Sequence, residues 1–186
     1  MKKIPLVLTI IFLAGLGIAI RLLPHPANFA PIAAIALFCG YYLPKKWAVL
    51  LPLSVMLVSD LFIGFYDLRL LAVVYGCFAL IGLVGLFIRK RRQLITIITA
   101  TLFSSLAFFL LTNLAVFLFS SWYPHTWSGL MLCYTLAVPF FKNTLMGDLF
   151  FTGVLFGSYE LMKQVVRHKI KFFCLTSNHR KNEGNV

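Results

Sequence analysis

Apolar residues in this chain come in long blocks separated by short polar or basic runs. The blocks are Pro5–Ile20, Pro31–Leu43, Trp47–Phe65, Leu70–Ile88, Leu94–Phe119 and Asn143–Met162. A bilayer core of roughly 30 Å takes about 20 helical residues to cross. The pattern therefore predicts an all-α integral membrane protein with six transmembrane helices. The second block has 13 residues and reaches further only if Asn28 and Phe29 extend it outward.

Between the fifth and sixth blocks, Ser120–Lys142 is too apolar for an ordinary loop and too short for two more crossings. Thr126 or Ser128 suits the start of a short helix through Val138, and Pro139 suits its end. Trp122, Tyr123 and Trp127 are residue types that favour the lipid–water boundary. The expectation is an interfacial or re-entrant helix over the outer mouth. Residues 1–162 then form one transmembrane domain, and 163–186 a basic tail against anionic lipids of the inner leaflet.

Composition excludes the main alternative. Of 186 residues, 61% are apolar and 12% charged, against about half and about a quarter in soluble domains. So small a globule has too little polar surface to cover that many apolar side chains.

Seventeen Lys and Arg against five Asp and Glu give a formal charge of +12, which in a soluble protein would suggest nucleic acid. Here the basic residues sit between apolar blocks, which is a topology signal and gives no nucleic-acid partner. With the amino terminus inside, Lys2, Lys3, Lys45, Lys46, Arg89 to Arg92 and six tail residues from Lys163 to Lys181 are cytoplasmic. Arg21, Arg69 and Lys142 are left outside. That split of 14 to 3 predicts both termini in the cytoplasm. Lys2 and Lys3 before an apolar run, with Gly17-Ile18-Ala19 after it, also fit a cleaved signal peptide. Either reading leaves the other five orientations unchanged.

Several chemistries lack their residues. Cys39, Cys77, Cys133 and Cys174 show no C-x-x-C and no His at zinc spacing, and the four histidines are dispersed, so no metal site is expected. There is no G-x-S-x-G, H-E-x-x-H or phosphate-binding loop. The G-x-G-D pattern of intramembrane aspartyl proteases fails at Leu145. The chain reads as a non-enzyme without a cofactor.

Ionisable groups within hydrocarbon are costly, about 2.5 kcal/mol or more at the centre, so each intramembrane carboxylate needs a partner. Asp60 and Asp148 each lie about six residues from the outer end of their blocks, roughly 9 Å deep. Arg21, Asn28, Asn113 and Asn143 fall in the same outer layer. These six groups either line a polar cavity open to the outside or form helix-to-helix bonds that hold a bundle together. On the cavity reading they contact a small solute, with Trp122, Tyr123 and Trp127 in its lid. Gly15 and Ala19 have the small-x-x-x-small spacing that admits another helix, from a partner or from the same chain. Ser59-Asp60-Leu61-Phe62 and Gly147-Asp148-Leu149-Phe150 hint at an inverted three-plus-three repeat.

Two stretches carry a family resemblance. His25-Pro26, Asn28-Phe29, Pro31-Ile32 and Ser59-Asp60-Leu61-Phe62-Ile63-Gly64 form one. Trp122-Tyr123-Pro124 with Pro139-Phe140-Phe141-Lys142-Asn143-Thr144-Leu145-Met146-Gly147-Asp148 forms the other. Across residues 5 to 162 the chain resembles an uncharacterised bacterial family of proposed transport proteins, domain of unknown function 6580. That family is similar, more distantly, to the substrate-binding S components of energy-coupling factor transporters. The resemblance implies an inner-membrane protein that takes a small solute from the outer side. It also implies docking through small residues of the first helix onto a transmembrane coupling protein driven by ATPase subunits. The usual docking motif there is Ala-x-x-x-Ala, whereas this chain has Gly15 at the first position. No vitamin-binding signature carries over. A proton-coupled transporter using Asp60 and Asp148, and a non-transporting envelope scaffold, are the rival expectations.

Overall fold

A computed structural model describes the backbone of residues 3–91 and 93–183 and the side chains of residues 6–91 and 93–166. Among these residues the chain is all-helical, with α1 Lys3–Leu22, α2 Ile32–Tyr42, α3 Trp47–Ile63, α4 Leu68–Ile88, α5 Leu94–Phe119 and α6 Trp127–Glu183. The first five match the apolar blocks closely.

Helix boundaries follow local chemistry. α3 stops where Gly64 takes φ 106° and its N–H returns to the Asp60 carbonyl at 2.8 Å, a conformation that glycine adopts without a Cβ penalty. Asp67 opens α4 by accepting from the backbone N–H groups of Arg69 at 2.8 Å and Leu70 at 3.3 Å. These donors hold the Asp67 carboxyl below its usual range. Thr126 caps α6 as its side chain predicts, its hydroxyl accepting from Gly129 N–H at 3.2 Å.

One element differs from expectation. The short helix over the outer mouth and the sixth block are a single helix, which passes through Pro139 and continues to Glu183. Proline removes one backbone donor, a loss that a helix survives when packing holds it on both sides. On one side of Pro139, the Tyr134 hydroxyl donates to the Leu110 carbonyl of α5 at 2.8 Å. On the other, the Phe141 ring lies 4.7 Å from that of Phe109. The helix is held against α5 across the break.

Residues 1–152 form one compact unit and 153–186 another. The second continues α6 and carries the Lys163–Glu160 ion pair at 3.0 Å. The tail's basic residues beyond Lys163, together with Lys2, Lys3, Arg92 and Cys174, fall outside the described side chains.

Within the first unit, α2 is the centre. Residues Ile32 through Tyr41 are all buried, and α1, α3, α4 and α5 pack around them. Its backbone meets α4 where Gly40 faces the Gly82 carbonyl, and α4 meets α3 where Gly82 faces the Ala48 carbonyl, so a Cβ at either glycine collides with main chain. Small residues let the helices approach this closely. The carboxyl end of α2 leaves carbonyls without intrahelical donors. Arg89 fills that need, donating to the Tyr41 carbonyl at 2.9 Å and to the Leu43 carbonyl.

α4 and α5 are long and apolar enough to cross a membrane, while the apolar parts of α1, α2 and α3 span 10 to 17 residues. Only 33% and 28% of the most apolar stretches of α4 and α5 are buried. Leu80, Phe87, Phe103 and Leu106 instead face outward.

Candidate functional site

The two buried aspartates have different surroundings. Asp60 is 1% exposed and fully engaged. Arg21 donates to its Oδ1 at 2.7 Å, and the Tyr75 hydroxyl donates to its Oδ2 at 2.8 Å. The same guanidinium donates to Ser59 Oγ at 2.7 Å. Arg21, near the end of α1, and Asp60, near the end of α3, thus form a partly buried ion pair whose remaining valences are also met.

Asp148 is 3% exposed, and its hydrogen-bond partner among the described residues is Ser105, whose Oγ donates to Oδ2 at 2.6 Å. One turn along, Thr101 and Thr152 face each other at 3.4 Å. The two pairs form a polar ladder between α5 and α6, each with the i, i+4 spacing of one helix face.

The expectation that both aspartates lie about 9 Å below the outer ends of their blocks counts Asp148 from Asn143. Counting from Asn143 as a helix start misplaces Asp148, because α6 begins at Trp127.

The bundle holds a cavity of about 340 Å³. Arg21, Asn28 and Asp148 line it with His25, Tyr66 and Thr144, and its apolar wall includes Met56, Val74, Phe78 and Phe108. Its volume falls within the range of about 300–1,000 Å³ usual for small-molecule pockets. A second hollow of about 220 Å³ shares Asn28, Val74, Phe108 and Thr144 with it and adds Asn113 and Phe141. His25 Nδ1 donates to the Leu23 carbonyl at 2.7 Å. Burial and then the Asp60 carboxylate push the Tyr66 phenol up, with Arg21 opposing.

The loop before α2 is fastened to α6. Asn28 takes φ 63°, and Phe29 swings onto α6, its ring 5.4 Å from that of Phe151. Gly147 makes room, since a Cβ there would sit 3.2 Å from the Phe29 ring and 3.3 Å from its Cα. Asn143 Nδ2 donates to the Ala27 carbonyl at 3.1 Å.

Of the nine expected solute contacts, Arg21, Asn28 and Asp148 line the larger cavity and Asn113 the smaller. Asn113 Nδ2 donates to the Phe109 carbonyl of its own helix. Asp60 is held by Arg21, and Asn143 ties a loop; neither lines either of these two cavities. Trp122 and Trp127 are 75% and 73% exposed, and they and Tyr123 are absent from the lining of both cavities. Gly15 and Ala19 face outward, and nothing lies within 4 Å of a Cβ added at Gly15. Gly17 is the residue against which α2 and α3 pack, through Ile35 and Val55. The two Asp-Leu-Phe segments are unlike in placement, one at a helix end and one inside a helix. No group of three or more His, Cys, Asp or Glu among the described residues is placed to hold a metal ion.

Ser105, Thr144, His25 and Tyr66 were not among the expected site residues. One of them carried a usable signal: Ser105, with Thr101 on α5, has the same spacing as Asp148 and Thr152 on α6.

The model of a family of unknown function (DUF6580) matches residues 1–170. No curated protein and no solved structure matches the chain.

Proposed function

The chain belongs to that family of unknown function, and we propose that it is a bacterial inner-membrane protein that captures a small solute from the outer side for uptake. It crosses the membrane six times with both termini in the cytoplasm. The charge split of 14 to 3 and the outward apolar faces of α4 and α5 support that topology.

The observation that carries the reading is the 340 Å³ cavity with the buried Asp148 carboxylate on its wall. A chain so apolar places a carboxylate against a void at a cost, and a bound solute that completes its interactions offsets that cost. The bundle is held elsewhere, by the α2–α4 glycine contact and the Arg21–Asp60 pair. Arg21, Tyr66, Thr144 and Asp148 give the cavity its polar groups, and Phe78 and Phe108 are on its apolar wall.

Uptake requires an energy input that distinguishes two states of the protein. Resemblance to S components supplies a candidate source, a transmembrane coupling protein with ATPase subunits gripping the outward face of α1 at Gly15 and Ala19. The test is native mass spectrometry of the gently extracted full chain. The expected result is a co-purified small molecule that is lost in Asp148→Ala, together with bound subunits that are lost in Gly15→Leu. Uptake by the pure protein alone, collapsing with the proton gradient, would replace this reading with a proton-coupled transporter. Extracts that repeatedly hold neither solute nor subunit would defeat both.

A further inference from the structure

The charge balance inside the cavity identifies the chemical class of its ligand, an inference that rests on solute capture as proposed above. Four titratable or charged groups line the cavity: Arg21, His25, Tyr66 and Asp148. Arg21 is neutralised in place, since it pairs with Asp60 at 2.7 Å and spends a second amino group on Ser59. Asp148 has no cation among the described residues. Its partner there is the neutral Ser105 hydroxyl, and Ser105 and Thr144 beside it are uncharged. The wall therefore holds one acidic side chain with no basic partner among the described residues, a place that a cationic ligand head would fill.

The same wall carries the rings of Phe78 and Phe108, their centroids 5.2 Å apart and their planes tilted by 35°. Aromatic faces attract cations through their quadrupole, most strongly where water is excluded. A bare metal ion needs several oxygen ligands at short range, and here most of the surrounding wall is apolar. We propose that the cavity selects a small organic cation, a protonated amine or quaternary ammonium, with its charged head against Asp148 and its apolar body along Phe78 and Phe108.

The experiment uses the full chain in lipid nanodiscs at neutral pH and three probes of one shape: benzylamine, benzyl alcohol and benzoate. Binding is read by calorimetry and by the shift in unfolding temperature. The expected order is benzylamine well ahead of benzyl alcohol, with benzoate weakest. Asp148→Asn keeps an acceptor for Ser105 and is expected to weaken benzylamine binding roughly thirtyfold or more while leaving benzyl alcohol nearly unchanged. Ordering of the probes on the unmodified chain decides the matter even if that variant does not fold.

Benzyl alcohol or benzoate binding as well as benzylamine, or Asp148→Asn retaining benzylamine affinity, overturns the cation assignment but leaves solute capture standing. Failure of all three probes at millimolar concentration also overturns it. Capture itself then stands or falls on whether a solute co-purifies.

Discussion

Arg21 and Asp60, thirty-nine residues apart in sequence, meet at 2.7 Å and join the ends of α1 and α3. The carboxylate has no exposed path to water, at 1% accessibility. Removing one partner of such a pair leaves the other charge buried alone, which costs about 3–5 kcal/mol. Asp60→Ala and Arg21→Ala are each expected to lower the unfolding temperature in detergent strongly. The double variant Arg21→Met with Asp60→Leu is expected to recover much of the loss. If the double variant is as unstable as the singles, the pair is not the source of the cost.

Backbone contact between α3 and α4 leads to a second expectation. A methyl group at Gly82 meets the Ala48 carbonyl, whereas one at Gly15 meets nothing within 4 Å. Gly82→Ala is expected to destabilise by about 1–3 kcal/mol or more through overpacking, and Gly15→Ala to stay within about 0.5 kcal/mol. Thermal unfolding of the two variants side by side checks both.

Ser105 and Ser104 are adjacent but differ in partners. Ser105 bonds Asp148, while the buried Ser104 hydroxyl has no partner among the described residues. Ser105→Ala is expected to cost about 1–2 kcal/mol by leaving the carboxylate without its donor. Ser104→Ala is expected to be neutral or stabilising. Equal melting temperatures for the two variants would deny the Ser105–Asp148 bond a structural role.

The Asp67 cap responds to pH in a direction fixed by its donors. Because the N–H groups of Arg69 and Leu70 hold its folded-state carboxyl below the unfolded value, the cap's contribution is complete above the unfolded pKa of about 3.9. It fades as pH falls through the folded one. Asp67→Ala is expected to melt below the unmodified chain at pH 7, and the gap to close in acid. A gap that persists or widens in acid would show that the carboxylate does not cap the helix.

Helices α1 to α5 were legible because each apolar block ends at a distinct break, at Gly64, Asp67 or Ser120, and burial of the surrounding residues agrees with those breaks. α6 was not, because Pro139 ends helices in water but not where aromatic contacts to α5 hold both sides of it. The site was legible in its ingredients: Arg21, Asn28 and Asp148 do meet around a void. What failed was the symmetry assumed between the aspartates, since spacing along the chain does not say that Asp60 already has Arg21 and Tyr75. Hydroxyl residues were passed over because serine and threonine on apolar helices commonly bond their own backbone, as Thr99 and Thr112 do here. Only the matched spacing of the α5 and α6 pairs sets Ser105 apart.

Phe29 rests on a residue with no side chain. The loop that carries it also supplies His25, Asn28 and Ala30 to the cavity wall, so the thickness of position 147 sets how near that loop comes to α6. One added methyl there would lift the ring by a few tenths of an ångström and draw with it the segment that walls the cavity, so the shape of that hollow depends on an atom the chain does not have.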